Sequence, residues 1–102
     1  GGIKVSPVEV EEALAGLDGV QEAAVVGIPA PAEVSGAVIK AYLVLRAGAA
    51  APSPEELKRA CLRELEAYKV PQEYEIVRAL PRNKAGKVLK ARLASRAGDR
   101  GG

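Results

Sequence analysis

Two stretches of the chain place apolar residues at helical spacing, and each is opened by the same four-residue signal. Val10, Leu14 and Leu17 recur at i, i+4, i+7, and Leu57, Cys61, Leu65 and Tyr68 follow a similar stripe. Ser6-Pro7-Val8-Glu9 precedes the first and Ser53-Pro54-Glu55-Glu56 the second. Each offers a Ser N-cap, a Pro at the first helical position and a Glu at the third, so each predicts a capping box in which two otherwise unpaired backbone N–H groups find partners. Gly16 is a stop for the first helix and Pro71 for the second.

Between and after these helices the pattern changes to that of strands. Gln21–Ile28 is rich in Val and Ala, and Glu73–Arg78 is a shorter candidate. Ala37–Leu45 alternates, with Ala37, Ile39, Ala41, Leu43 and Leu45 on one apolar face. Its other face carries Val38, Lys40, Tyr42 and Val44, which predicts a half-covered surface. Pro29–Gly36 joins two strands, Ala47–Pro52 is a flexible surface link, and a last short helix runs from about Leu89 to Arg96. The order helix, strand, strand, helix, strand, helix predicts an α+β domain: a small, mainly antiparallel three-stranded sheet packed against helices. No internal repeat is visible, and 102 residues suit a single domain.

Composition narrows the chemistry. Phe and Trp are absent and Tyr42, Tyr68 and Tyr74 are the only aromatics, so the core is built from Val, Leu, Ile and Ala. There is no His, which excludes His-based catalysis and His-ligated metals. Cys61 is the sole cysteine, so no internal disulfide forms; it reads as a small buried apolar residue in a reducing compartment. No apolar run approaches the roughly 20 residues that span a bilayer, and the first ten residues lack the apolar stretch of a signal peptide. The expectation is a cytoplasmic protein without a membrane span.

The net charge of +2 hides an asymmetry: residues 1–80 hold eight basic and twelve acidic residues, whereas 81–102 hold seven basic residues and one acid, Asp99. A basic end attracts phosphates, although a solvated tail has the same composition. Within it, Pro81-Arg82-Asn83-Lys84-Ala85-Gly86-Lys87-Val88 reads as a tight loop in which Asn83 and Gly86 permit positive φ. Gly86 lets a backbone approach a ligand and leaves Lys87 projecting at the tip, where its ammonium can face an anion.

This loop, P-x-x-x-x-G-K-V, resembles the last core motif of the adenylate-forming superfamily, which includes acyl-CoA synthetases, peptide-synthetase adenylation domains and luciferases. GGIKVSPVEVE resembles the segment just after that family's domain hinge, and V-x-E-A-A-V-V-G-I-P, K-A-Y-L-V-L, E-L-K and Y-K-V-P follow in family order and spacing. The resemblance spans about residues 1–93. It implies the C-terminal domain of an AMP-forming acyl-CoA synthetase, whose large N-terminal domain, absent from these 102 residues, holds most of the ATP and acid site. Such enzymes join a carboxylic acid to ATP (Mg-bound), giving an acyl-adenylate and pyrophosphate, after which a thiol, usually CoA, displaces AMP. The small domain supplies one lysine to the first step and then rotates to present another face for the second. The expected substrates are thus ATP, a carboxylic acid and CoA; no cofactor is held tightly by this domain, no metal site is expected in it, and alone it should be inactive.

By the motif the lysine directly follows the glycine, which selects Lys87 over Lys84. Its implied role is to bridge the carboxylate of the acid and the α-phosphate of ATP, acting as neither base nor nucleophile. Gly86 and Lys87 form the ATP and acyl-adenylate loop. The resemblance assigns the CoA side to Gly1, Gly2 and Ile3, which would line the thiol tunnel, and to Tyr68 and Lys69, which could meet adenine and a phosphate. Tyr68 reads equally as the last core residue of its helix stripe. One departure is recorded: Ala30 and Ala37 stand where family members often have Asp and Glu. Two rival readings stand beside this one. The first is an adenylation domain that loads a carrier-protein phosphopantetheine; the second, disfavoured because residues 81–102 contain no aromatic, is a stand-alone basic nucleic-acid module.

Overall fold

The computed structural model describes residues 6–28 and 38–98. Their elements run α1 (Pro7–Ala15), β1 (Val20–Ile28), β2 (Val38–Leu45), α2 (Pro54–Glu64), a 3₁₀ turn (Ala67–Lys69), β3 (Glu73–Ile76) and α3 (Lys90–Gly98). The order and the α+β class are those expected from the sequence. The strands form one three-stranded sheet in the order β1-β2-β3. The longer β1–β2 ladder is antiparallel, from Val20 opposite Leu45 to Ile28 opposite Val38, while β3 joins β2 in parallel through α2.

Both faces of the sheet are covered. On one face Val25, Ala41 and Leu43 pack with Val10 and Leu14 of α1 and with Leu57, Cys61 and Leu65 beyond or within α2. On the other, Ala24, Val26, Tyr42 and Val44 pack with Leu80 and with Leu93 of α3. The expected half-covered face of β2 is therefore fully buried. The Tyr42 hydroxyl donates to the Leu93 carbonyl at 3.1 Å, which satisfies a buried polar atom and holds α3 against the sheet.

Lys40, on the face expected to be half covered, is 0 % exposed. Its ammonium is 2.9 Å from Glu75 Oε1 and 4.8 Å from the centre of the Tyr42 ring. Glu75 is held from its other oxygen by Arg96 of α3. A buried charge survives only when paired and hydrogen-bonded, and this one is.

The two helix signals differ in outcome. At α2 the capping box forms as expected: Ser53 Oγ accepts the Glu56 N–H at 3.1 Å and Glu56 Oε1 accepts the Ser53 N–H at 2.9 Å. At α1 Ser6 is the N-cap but its side chain makes no cap bond, and the Glu9 carboxylate that would complete the box pairs with Lys69. The second helix also ends earlier than its stripe suggests. Leu65, at φ −126° and ψ 151°, breaks it, and Tyr68 lies on the separate 3₁₀ turn, exposed rather than in the core. Cys61 is buried, as expected, and burial pushes its thiol pKa up. Residues 1–5 and the loop Pro29–Gly36 with Ala37 lie outside the described residues.

The Lys40–Glu75 pair generates a stability prediction. Glu75→Ala strands a fully buried ammonium and should cost about 3 kcal/mol in denaturant unfolding, whereas Lys40→Met should stay within ~1 kcal/mol of the parent. Lys40 holds the Glu75 carboxyl pKa below its ordinary value, with Arg96 adding to it. A depressed folded-state pKa gives stability that is complete above the unfolded carboxylate value of about 4.3 and is lost as pH falls through the folded one. The gap in stability between the parent and Glu75→Gln should accordingly shrink below about pH 4.

Candidate functional site: the lysine hairpin and its groove

The basic loop is a closed hairpin. The Gly86 N–H donates to the Asn83 carbonyl at 3.0 Å, the Asn83 N–H to the Lys87 carbonyl at 3.0 Å, and the Leu89 N–H to the Pro81 carbonyl at 2.8 Å. Asn83 Oδ1 takes the Lys87 N–H at 2.9 Å. Arg82 and Val88 form an antiparallel bridge. Gly86 has φ +89°, the left-handed residue that closes a three-residue hairpin loop. Asn83 was expected to share that freedom, but no described non-glycine residue has positive φ; its side chain, not its backbone, shapes the turn.

The hairpin separates the two competing lysines. Lys84 and Ala85 occupy the turn, so Lys84 rather than Lys87 is at the tip. Lys87 lies on the returning arm. There it lines an open groove of about 900 Å³ together with Asn83, Glu11 and the start of α3; Lys84 does not line it. Of the cations around the loop, Arg82 is bound to the Gly86 carbonyl at 2.6 Å and to Glu22 of β1, and Lys90 to Glu11 of α1. Among the described residues the Lys87 side chain has no ion-pair partner, which leaves one uncommitted ammonium at the groove wall.

The CoA-side residues lie elsewhere. Tyr68 is 46 % exposed, so its ring is free to stack. Lys69 sits 5.6 Å from the centre of that ring and pairs with Glu9 at 2.9 Å. The Glu9 carboxylate raises the Lys69 pKa above its ordinary value. Neither residue lines the Lys87 groove. Gly1, Gly2 and Ile3 are outside the described residues. Glu11, Glu22 and Arg82 were not singled out in the sequence: their pairings join residues 60 and 79 positions apart, and no local pattern encodes them. No group of three or more metal-ligating residues occurs among the described residues, and no helix there is long and apolar enough to cross a membrane.

The family model for the AMP-binding enzyme C-terminal domain matches residues 9–87. The chain belongs to that family. This C-terminal domain is 44% identical over 97 residues to the sulfoacetate–CoA ligase of Cupriavidus necator, covering 95% of the chain and 18% of the ligase. It is 40% identical over 92 residues to the 3,4-dihydroxybenzoate–[aryl-carrier protein] ligase of Bacillus anthracis, covering 90% of the chain and 21% of that enzyme. The crystal structure of apo MatB from Rhodopseudomonas palustris superposes with a TM-score of 0.86 at 34% identity, covering 97% of the chain and 19% of MatB. The domain thus spans about a fifth of the length of the enzymes it matches.

The hairpin geometry should be sensitive to its glycine. A Cβ on Gly86 meets nothing within 4 Å, so the cost of Gly86→Ala is the backbone conformation alone, about 1–2 kcal/mol. Hydrogen exchange at the Gly86 and Lys87 amides should accelerate by roughly tenfold or more, and the global unfolding free energy should fall by no more than the same ~1–2 kcal/mol. Asn83→Ala, which removes the acceptor of the Lys87 N–H, should act in the same direction at about 1 kcal/mol.

Proposed function

We propose that this domain is the C-terminal part of an AMP-forming carboxylate–CoA ligase and that Lys87 is its adenylation lysine. The supporting observation is the hairpin that puts Lys87, and not Lys84, on the groove wall with its ammonium unclaimed. A protonated lysine so placed bridges two anions that repel each other, the substrate carboxylate and the α-phosphate of Mg-bound ATP. It holds them near attack distance and offsets charge as the acyl-adenylate forms. The rest of the ATP and acid site belongs to a large N-terminal domain, the partner of this one. In the second half-reaction CoA displaces AMP; Tyr68 offers a face for its adenine and Lys69 a cation for a phosphate, with Gly1, Gly2 and Ile3 along the thiol path. The carrier-protein reading keeps one support, the likeness to an aryl-carrier protein ligase. The exposed Tyr68 beside a cation favours a nucleotide-bearing thiol.

In the complete ligase, Lys87→Ala should slow adenylation by on the order of 10²–10³, by analogy with the loss of one preorganised charge contact, and leave thioester formation from supplied acyl-adenylate nearly intact. Lys84→Ala should change either rate only slightly. ATP–pyrophosphate exchange and a single-turnover thioester assay read the two steps; equal slowing by both substitutions would refute the assignment of Lys87. Tyr68→Ala with Lys69→Ala should raise the KM for CoA several-fold with adenylation unchanged. An unaltered KM for CoA would remove Tyr68 and Lys69 from the CoA site.

A further inference from the structure

Glu11 joins three elements of the fold. It projects from α1, on one side of the sheet, and reaches the open edge of β1, where its Oε2 accepts the Val25 N–H at 2.9 Å. The same oxygen pairs with the ammonium of Lys90, the first residue of α3, on the other side of the sheet. Glu11 therefore clamps the two helical layers around the sheet edge. Lys90 lies three residues beyond Lys87, and Glu11 itself lines the groove that Lys87 faces.

The hairpin of residues 81–89 is closed by its own hydrogen bonds, so its internal shape does not fix where it stands on the domain. Its charged ties to the domain body are Arg82 to Glu22 at one end and Lys90 to Glu11 at the other. A lysine has a long flexible stem, and only the placement of its backbone makes its ammonium preorganised. On the reading that Lys87 serves adenylation, we infer that Glu11 is a positioning residue for it: through Lys90, the Glu11 carboxylate sets where the hairpin presents Lys87, while its bond to Val25 anchors that carboxylate on the sheet.

Two substitutions separate this role from plain support of the fold. Glu11→Gln keeps an acceptor for the Val25 N–H and removes the charge that Lys90 sees; Lys90→Gln alters no residue of α1 or of the sheet edge and leaves the Glu11 carboxylate on Val25. In the 102-residue chain both should speed amide exchange at Gly86 and Lys87 by several-fold, with the melting transition and the Val25 amide little changed. In the complete ligase both should lower the maximal rate of ATP–pyrophosphate exchange roughly tenfold, since a displacement near 1 Å can cost up to about 10² in rate. The KM for the acid and the thioester step should hold. The double variant should be no slower than either single one, because the two residues act as a unit. Additive losses, a slowed thioester step, or an undisturbed hairpin in Glu11→Gln would overturn the proposal. If Glu11→Gln melts early, Lys90→Gln carries the same test. The reading of Lys87 fails separately: Lys87→Ala without effect on adenylation, beside a loosened hairpin in Glu11→Gln, would sink the adenylation role and leave the anchoring intact.

Discussion

Everything in this domain hangs on β2 being buried on both faces. It is the middle strand, so its backbone is committed to β1 and β3. Its side chains alternate between the layer of α1 and α2 and the layer of α3. A strand in that position normally reads as a continuous apolar run. This one carries Lys40 and Tyr42 on the α3 side, each 0 % exposed. Their polar atoms are satisfied by groups from β3 and α3, namely Glu75 and the Leu93 carbonyl, so the second face can be sealed only when α3 is docked. The hairpin with Lys87 leads directly into α3. The position of the site is therefore a consequence of how one strand satisfies two buried polar side chains.

Much of the fold was legible because the local signals were strong. Alternation over residues 37–45, Val-rich 21–28, the capping box at Ser53 and the Pro81–Val88 motif each named an element that the structure contains. What was not legible depended on distant partners. Lys40 lies on the face expected to be half covered, and only Glu75, 35 positions later, explains how it can be buried. Glu9 completes a capping-box pattern, but a lysine 60 positions away competes for its carboxylate and wins. Tyr68 fits a helical stripe until Leu65 turns extended and takes it off the helix.

The candidate site divides in the same way. Gly86 and Lys87 are local features: a left-handed residue and a lysine on the arm that follows it. The electrostatic frame is not local. Arg82 and Lys90 carry the same charge as Lys87 and lie in the same short segment, yet Glu22 and Glu11 neutralise them and turn them into anchors. A run of cations in sequence thus becomes, in space, two tethers on either side of Lys87, which carries no ion pair of its own among the described residues.

Glu9 and Glu11 stand two residues apart on α1, hence about 200° apart around its axis. They grip Lys69 on one side and Lys90 on the other. The helix acts as an axle with a spoke to each of two regions, of which the Lys90 side alone lines the Lys87 groove. Regions fixed to one axle cannot drift independently; they keep a constant angle to each other. One turn of helix thus holds the two stations on opposite sides of itself.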